Sequence, residues 1–155
     1  MNTLDPRVVQ LWRIQGLLRL FLFWMPVLGI GAALLVARFG VLGWAIPGLA
    51  LGMGLIQSLV WPALAWERFR YSVREHDVLV EQGVLFLHTV SVPLSRIQHV
   101  DTRQGPVERA FGLSRVVFYT AAGMAADASI PGLAEADAGA LRDQLSQRGG
   151  EGEGV

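Results

Sequence analysis

The sequence predicts an α+β membrane protein: an N-terminal two-helix transmembrane hairpin, then an antiparallel β barrel or sandwich with a C-terminal helix. Two observations carry this prediction. Residues 20–37 and 39–66 contain no ionisable side chain, and Arg38 alone separates them. From Glu67 onward, short alternating segments with regularly spaced charges are typical of β-strands.

The first element is the helical hairpin, which we assign to residues 1–66. Asp5 and Pro6 predict a helix start, as N-cap and first helical residue. A bilayer core needs roughly 20 helical residues, and spans of about 20–37 and 44–66 meet that length. Two helices that are apolar on all sides would need a large apolar cover in a soluble protein, and residues 67–155 are too polar to supply it.

Arginine placement predicts the orientation of the hairpin. Arginines precede the first span and follow the second, whereas Arg38 is the only one in the predicted turn at residues 38–43. Both termini are therefore expected in the cytoplasm. No acidic residue or histidine lies in either span, which argues against an ion-coupled transport site. The candidate membrane-proximal lipid contacts are Arg13, Arg19, Arg68, Arg70 and Arg74.

Two glycines in the second span form a small-xxx-small pattern. Gly48 and Gly52 are four residues apart, a spacing that lets helices approach closely. They are candidates for helix packing, either within the hairpin or against another membrane protein or a second copy.

The second element is a small domain at residues 67–148, followed by a tail at residues 149–155 whose composition predicts disorder. A helical turn at residues 106–111 is stopped by Gly112, and a final helix covers residues 134–148. Six strands are predicted, at residues 68–74, 78–82, 84–92, 97–103, 114–120 and 124–130. Six short strands with short connections and one helix suit a pleckstrin-homology-like (PH-like) architecture.

Several stretches of this domain resemble a known family. They are VPLSRIQHVD at residues 92–101, QGPVERAFGL at residues 104–113 and IPGL at residues 130–133. With the preceding hairpin, they resemble the membrane-flanked bacterial PH-like domain family. One departure is Ala-Ala-Gly at residues 121–123, where such proteins more often show Ala-Gly-Gly. The resemblance implies a PH-like fold but no defined activity. With the two predicted spans, we expect a multi-pass protein of the bacterial inner membrane.

Composition argues against catalysis and cofactor binding. The chain has no cysteine, and its three histidines lack metal-ligand spacing. No nucleophile motif or phosphate-binding loop is present. We therefore expect no enzyme activity, no cofactor and no small-molecule substrate. Residues 67–155 carry nine arginines and twelve acidic residues, a balance that argues against nucleic-acid binding.

Three functions remain open at this stage. The first is an adaptor or assembly factor that binds a protein partner, or itself, at the cytoplasmic membrane face. The second is binding of anionic lipid headgroups, and the third is an accessory role in a transporter or export system. Candidate partner-binding or anion-binding residues are Arg96, Gln98, Arg103 and Arg109, although Arg96 has an alternative use as an ion-pair partner of Asp101 or Glu108.

Overall fold

The computed structural model describes residues 2–120 and 128–150. The chain divides into two compact units. We call Val9–Leu64 the apolar unit, and Met1–Val8 together with Ala65–Val155 the sheet unit. The predicted departure at residues 121–123, most of the predicted strand 124–130 and the end of the predicted tail lie outside the described residues.

Helical structure runs from Arg7 to Arg68 with two changes of helix type. The α-helical parts are α1 (Arg7–Arg19), α2 (Met25–Phe39) and α3 (Ala45–Arg68), separated by a π-helical turn and a 3-10 turn. By length and composition, this run can cross a membrane, and only 11% of its most apolar window is buried. Since the core helix of a soluble protein would be mostly buried, this exposure favours a lipid environment.

Asp5 caps the first helix as the sequence predicts, and the helix begins at Arg7, one residue after the predicted Pro6. The Asp5 Oδ1 atom accepts a hydrogen bond from the Arg7 backbone N–H at 2.8 Å. This bond satisfies one of the donors that a helix leaves unpaired in its first turn. The Arg7 side chain also pairs with Asp5 at 2.8 Å, and this hydrogen bond lowers the pKa of the carboxyl group.

Close backbone approaches within the apolar unit occur at glycines. An added Cβ at Gly16 would lie 3.1 Å from Ser58 Cβ, and one at Gly54 would lie 2.7 Å from Leu20 Cδ1. At Gly43 an added Cβ would overlap the backbone of α2. Gly40 ends α2 with φ +62°, a conformation that favours glycine.

The sheet unit contains two three-stranded antiparallel sheets with strand orders β1-β2-β3 and β4-β5-β6. Helix α4 (Pro106–Ala110) connects β4 to β5, and α5 (Glu135–Gly150) follows β6 and packs against β4, β5 and β6. Closure of these sheets into a barrel stays a prediction. The strands are β1 (Arg70–Val73), β2 (Asp77–Gln82), β3 (His88–Pro93), β4 (Ile97–Arg103), β5 (Leu113–Thr120) and β6 (Ala128–Ala134).

The core of the sheet unit is built from both sheets and α5. Helix α5 contributes Ala138 and Leu145 to this core. The helix begins at Glu135, one residue after the predicted start, because Ala134 still belongs to β6. The buried side chains of the sheets include Val78, Val80, Val92, Val100, Leu113, Val116, Phe118 and Ile130.

The predicted strand at residues 84–92 is wrong in its first half. Gly83 has φ +124°, and an added Cβ there would overlap the Phe86 carbonyl oxygen, so the backbone turns tightly at this point. Strand β3 therefore begins only at His88. An apolar run without polar alternation does not distinguish a strand from an apolar loop, which is why the sequence pattern failed here.

The N-terminal segment, residues 2–8, is part of the sheet unit. Asn2 and Tyr71 exchange backbone hydrogen bonds of 2.7 and 3.1 Å, which adds one bridge at the edge of β1. The Trp66 indole Nε1–H donates to the Leu4 carbonyl at 3.0 Å, and the Leu4 side chain is buried. The residues before α1 and those after α3 therefore pack into one unit.

Candidate functional site

The exposed side of β4 carries a cluster of polar and aromatic side chains. Ile97 and Val100 point into the core, and a register shift between Ile97 and His99 lets both face inward without strict alternation. Tyr119 of β5 lies opposite His99. We call the cluster of His99, Asp101, Arg103 and Tyr119 the β4 face.

The side chains of the β4 face hold one another in place. His99 Nε2 lies 2.9 Å from Asp101 Oδ1, and Arg103 Nη2 donates a hydrogen bond to the Tyr119 hydroxyl. The Arg103 guanidinium carbon lies 5.7 Å from the centroid of the Tyr119 ring, within cation–π distance. The His99 and Tyr119 ring centroids are 6.2 Å apart. Ordering these side chains in advance reduces the entropy that a binding partner would have to overcome.

An ion pair between buried Glu108 and partly exposed Arg115 lies next to the loop that follows β4. Glu108 is 3% exposed, and its Oε2 atom accepts a hydrogen bond from the Gly105 N–H at 2.6 Å. Its Oε1 atom accepts from Arg115 Nε at 2.9 Å. Glu108 pairs with Arg115 and Asp101 with His99, and neither carboxylate pairs with Arg96, so that predicted ion pair is wrong.

Strand pairing explains why Glu108 has a different partner. Arg115 on β5 lies opposite Arg103 in register, which brings it beside α4. Arg115 was not predicted from the sequence, because its position beside Glu108 depends on strand pairing. The capping role of Glu108 was visible in the sequence, since a glutamate at the third helical position after Gly105 is a known capping signal.

The predicted partner residues do not form a single cluster. Arg96 ends the 3-10 turn before β4, while Arg103 ends β4 itself. At about 3.3 Å per residue, these two arginines are separated by roughly 23 Å along the strand, too far for one phosphate. Arg103 belongs to the β4 face. Gln98 and Arg109 are exposed elsewhere, on β4 and α4, and their roles stay a prediction.

The predicted lipid contacts occupy different environments. Arg13 Nε donates to the Leu59 carbonyl at 2.9 Å, whereas Arg19 is exposed. Arg68 donates to the Val84 carbonyl at 3.4 Å, and Arg70 donates to the Phe69 carbonyl at 2.8 Å. Arg74 follows β1 at the end remote from α3 and lies 3.8 Å from Asp77. Arg68 and Arg70 are thus the two that flank the exit of α3.

Gly48 and Gly52 make no close helix contact within the described part of the chain. An added Cβ at either position would meet no atom within 4 Å. The close approaches in the apolar unit use Gly16 and Gly54 instead. A packing role for Gly48 and Gly52 would therefore involve a second molecule, and it stays a prediction.

Residues 2–120 and 128–150 contain no group of three or more side chains suited to hold a metal ion. Every buried side-chain polar atom in these residues has a hydrogen-bond partner. The β4 face, an ordered surface of polar and aromatic groups, is therefore the candidate functional site, and its chemistry suits recognition.

Comparison with known proteins gives one family match and two relatives. Residues 20–149 match the family model described as Bacterial PH domain. The chain is 32% identical over 150 residues to the UPF0699 transmembrane protein YdbS of Bacillus subtilis (strain 168), covering 94% of this chain and 91% of the relative.

The second relative is the UPF0699 transmembrane protein YdbT of the same organism. It is 28% identical over 75 residues, which are 48% of this chain and only 15% of that protein. No solved structure matches the chain.

Proposed function

Because the chain belongs to the bacterial PH domain family, as its motifs predicted, we propose that it is a membrane-anchored, non-enzymatic PH-like module. It binds a protein partner, or a second copy of itself, at the cytoplasmic face of the bacterial inner membrane. The observation that carries this proposal is the β4 face, where exposed side chains are already held in one arrangement.

The anchor in this proposal is a hairpin that crosses the bilayer twice. Both ends of the helical run belong to the sheet unit, which favours an even number of crossings. The contacts within the run are nested, as expected for antiparallel helices: Arg13 with Leu59, Gly16 with Ser58, and Leu20 with Gly54. The excess of arginine at both ends favours a cytoplasmic sheet unit.

The absence of cysteine from the sequence makes this topology directly testable. Single cysteines are introduced by Val41→Cys in the turn and by Ser146→Cys on α5, where both positions are exposed. A membrane-impermeant maleimide should label Val41→Cys in intact cells and Ser146→Cys only after permeabilisation. Labelling of Ser146→Cys in intact cells would contradict a cytoplasmic sheet unit.

The composition of the β4 face favours a protein as its ligand. Tyrosine and arginine are enriched in protein interfaces and among the residues that dominate binding energy. Arg103 and Tyr119 are already bonded to each other, so that their shared surface needs little reordering. His99 and Arg103 are exposed and polar, whereas small-molecule sites are mostly lined by buried apolar side chains.

Site-specific photo-crosslinking in living cells tests the partner. A photoreactive amino acid replaces His99 on the β4 face or, as a matched exposed control, Ser146 on α5. His99 should give a discrete crosslinked product that Ser146 does not give and that Arg103→Gln weakens. A product near twice the chain mass of 16.9 kDa indicates a second copy, and another mass indicates a different protein. Identical products from both positions would contradict the proposal.

Binding of anionic lipid headgroups is the second candidate, favoured by the exposed Arg68 at the end of α3. A basic residue near an anionic surface contributes about 1 kcal/mol. Native mass spectrometry of the full chain, released from nanodiscs of mixed neutral and anionic lipid, should show fewer retained anionic lipids for Arg68→Gln. Equal retention by the variant and by the unmodified chain would argue against this function.

A further inference from the structure

The loop between β2 and β3 exposes three consecutive large apolar side chains. Leu85, Phe86 and Leu87 are 77%, 87% and 70% exposed. In the described part of the sheet unit, these three are the only exposed large apolar side chains, and all others lie in the helical run. We call Leu85, Phe86 and Leu87 the apolar tip. An exposed patch of this kind normally marks a surface that is covered in the working molecule.

Strand register places the apolar tip at the end of the sheet where the chain leaves α3. Only Phe69 separates α3 from β1, so β1 begins directly at the helix exit. Arg70, the first residue of β1, pairs with Glu81 near the end of β2. The loop after β2 therefore lies beside the start of β1, while the β1–β2 turn lies at the other end of the sheet.

A side-chain contact connects the same two segments. The Arg68 guanidinium donates to the Val84 carbonyl at 3.4 Å, which joins the last residue of α3 to the residue just before the apolar tip. Trp66 lies one half-turn earlier in α3, and tryptophan is enriched at membrane–water boundaries. The β2–β3 loop therefore begins beside the end of α3, where the membrane boundary is expected.

The composition of this loop also suits insertion into a lipid bilayer. Residues 82–87 contain no ionisable side chain. The tight backbone turn at Gly83 holds the Phe86 carbonyl close by, so the loop is folded back on itself while its side chains point outward. Apolar and aromatic groups presented in this way can enter the boundary between headgroups and acyl chains.

We propose that the apolar tip inserts into the lipid bilayer next to the exit of α3 and gives the sheet unit a further attachment to the membrane. This inference rests on the membrane anchoring in the proposed function and is independent of partner binding. Lipid is favoured over protein as the cover because the tip is tethered to the end of the apolar helical run. The additional attachment restricts rotation of the sheet unit about the end of α3.

Environment-sensitive fluorescence of the full chain tests this insertion. Phe86→Cys and, as a matched control, His76→Cys are each labelled with a nitrobenzoxadiazole probe in the otherwise cysteine-free chain. Both positions are exposed loop residues, and they lie at opposite ends of β2, about 20 Å apart. The labelled chains are reconstituted in phosphatidylcholine–phosphatidylglycerol liposomes with or without lipids that carry a spin label in the acyl chain.

The expected result is a blue-shifted Phe86→Cys probe that is quenched at least twofold more by spin-labelled lipid than the His76→Cys probe and is shielded from aqueous iodide. Equal iodide quenching at both positions overturns the inference. A Phe86→Cys probe that is open to iodide in liposomes but shielded in native membrane vesicles assigns the tip to a protein, and this also overturns it. Flotation of the same samples keeps the two proposals apart, because a chain that floats with liposomes is anchored whatever the tip does.

Discussion

Gly132 in β6 contacts the N-terminal segment within the sheet unit, and its replacement by alanine tests that contact. The Gly132 carbonyl accepts a hydrogen bond from the Asp5 N–H at 3.1 Å. Gly132 has φ +64°, and an added Cβ would lie 2.6 Å from Val8 Cβ and closer still to Val8 Cγ2. Val8 is fully buried, so it has little room to move away.

The expected cost of Gly132→Ala has two parts. The left-handed backbone costs alanine roughly 1–2 kcal/mol, and forcing a methyl group into a packed site costs roughly 1–3 kcal/mol. Lower entropy of the unfolded chain returns about 0.4–1 kcal/mol. We expect a net loss of about 3 kcal/mol, which corresponds to a fall of roughly 12–24 °C in Tm for a domain of about 100 residues.

Two other glycines separate the parts of this cost. Gly112 has φ +62° with no atom within 4 Å of an added Cβ. Gly112→Ala should therefore cost only the free energy of placing alanine in a left-handed backbone. Gly139 lies in α5 with equally open surroundings, and alanine there should stabilise the chain by up to about 1 kcal/mol. Thermal unfolding of the full chain in detergent, followed by tryptophan fluorescence, measures all three variants. Equal melting of Gly132→Ala and Gly112→Ala would refute the packing of Val8 on Gly132.

Three further predictions concern ionisable groups, each measured by thermal unfolding of the full chain in detergent. Glu108→Gln should cost about 2 kcal/mol, because it removes the buried carboxylate that pairs with the partly exposed Arg115, and an unchanged Tm would contradict this pairing. The hydrogen bond from Arg7 lowers the pKa of the Asp5 carboxyl group in the folded chain. The carboxylate therefore stabilises the fold fully above its pKa in the unfolded chain, about 3.9, and this stabilisation is lost as pH falls through the folded pKa. Asp5→Asn should remove this acid-dependent loss, and an unchanged acid profile would contradict the contact. Burial raises the pKa of the Tyr71 hydroxyl in the folded chain. The neutral hydroxyl therefore contributes its full stability below its pKa in the unfolded chain, about 10, and this stability is lost as pH rises through the folded pKa. Tyr71→Phe should reduce the fall of Tm at alkaline pH. An unchanged fall would show that another group causes it.

Local patterns were sufficient for much of the fold. The apolar run, the helix cap at Asp5, β4 at Ile97–Arg103 and the short α4 before Gly112 were all predicted from neighbouring residues. Each depends on interactions within a few residues, such as a cap or a hydrophobic period, and these are visible in the sequence itself. The family was recognisable for the same reason, since its motifs are contiguous.

The candidate site was predicted only in part. Arg103 was singled out as a basic residue near the end of β4, but its bond to Tyr119 depends on the pairing of β4 with β5. Arg115, the partner of Glu108, was missed for the same reason. Arg96 was grouped with Arg103 because the two are close in sequence, whereas an extended strand carries them to opposite ends.

The sequence by itself determined that apolar helices precede a small β-rich domain, because the length of the charge-free stretches and the alternation that follows are local properties. Only the tertiary structure decided that residues 2–8 return to the sheet unit, where Val8 meets Gly132 across more than a hundred intervening residues. It also decided that residues 84–87 form an exposed loop beside the end of α3. Both features depend on strand register and on contacts between distant segments, which exist only once the chain has folded.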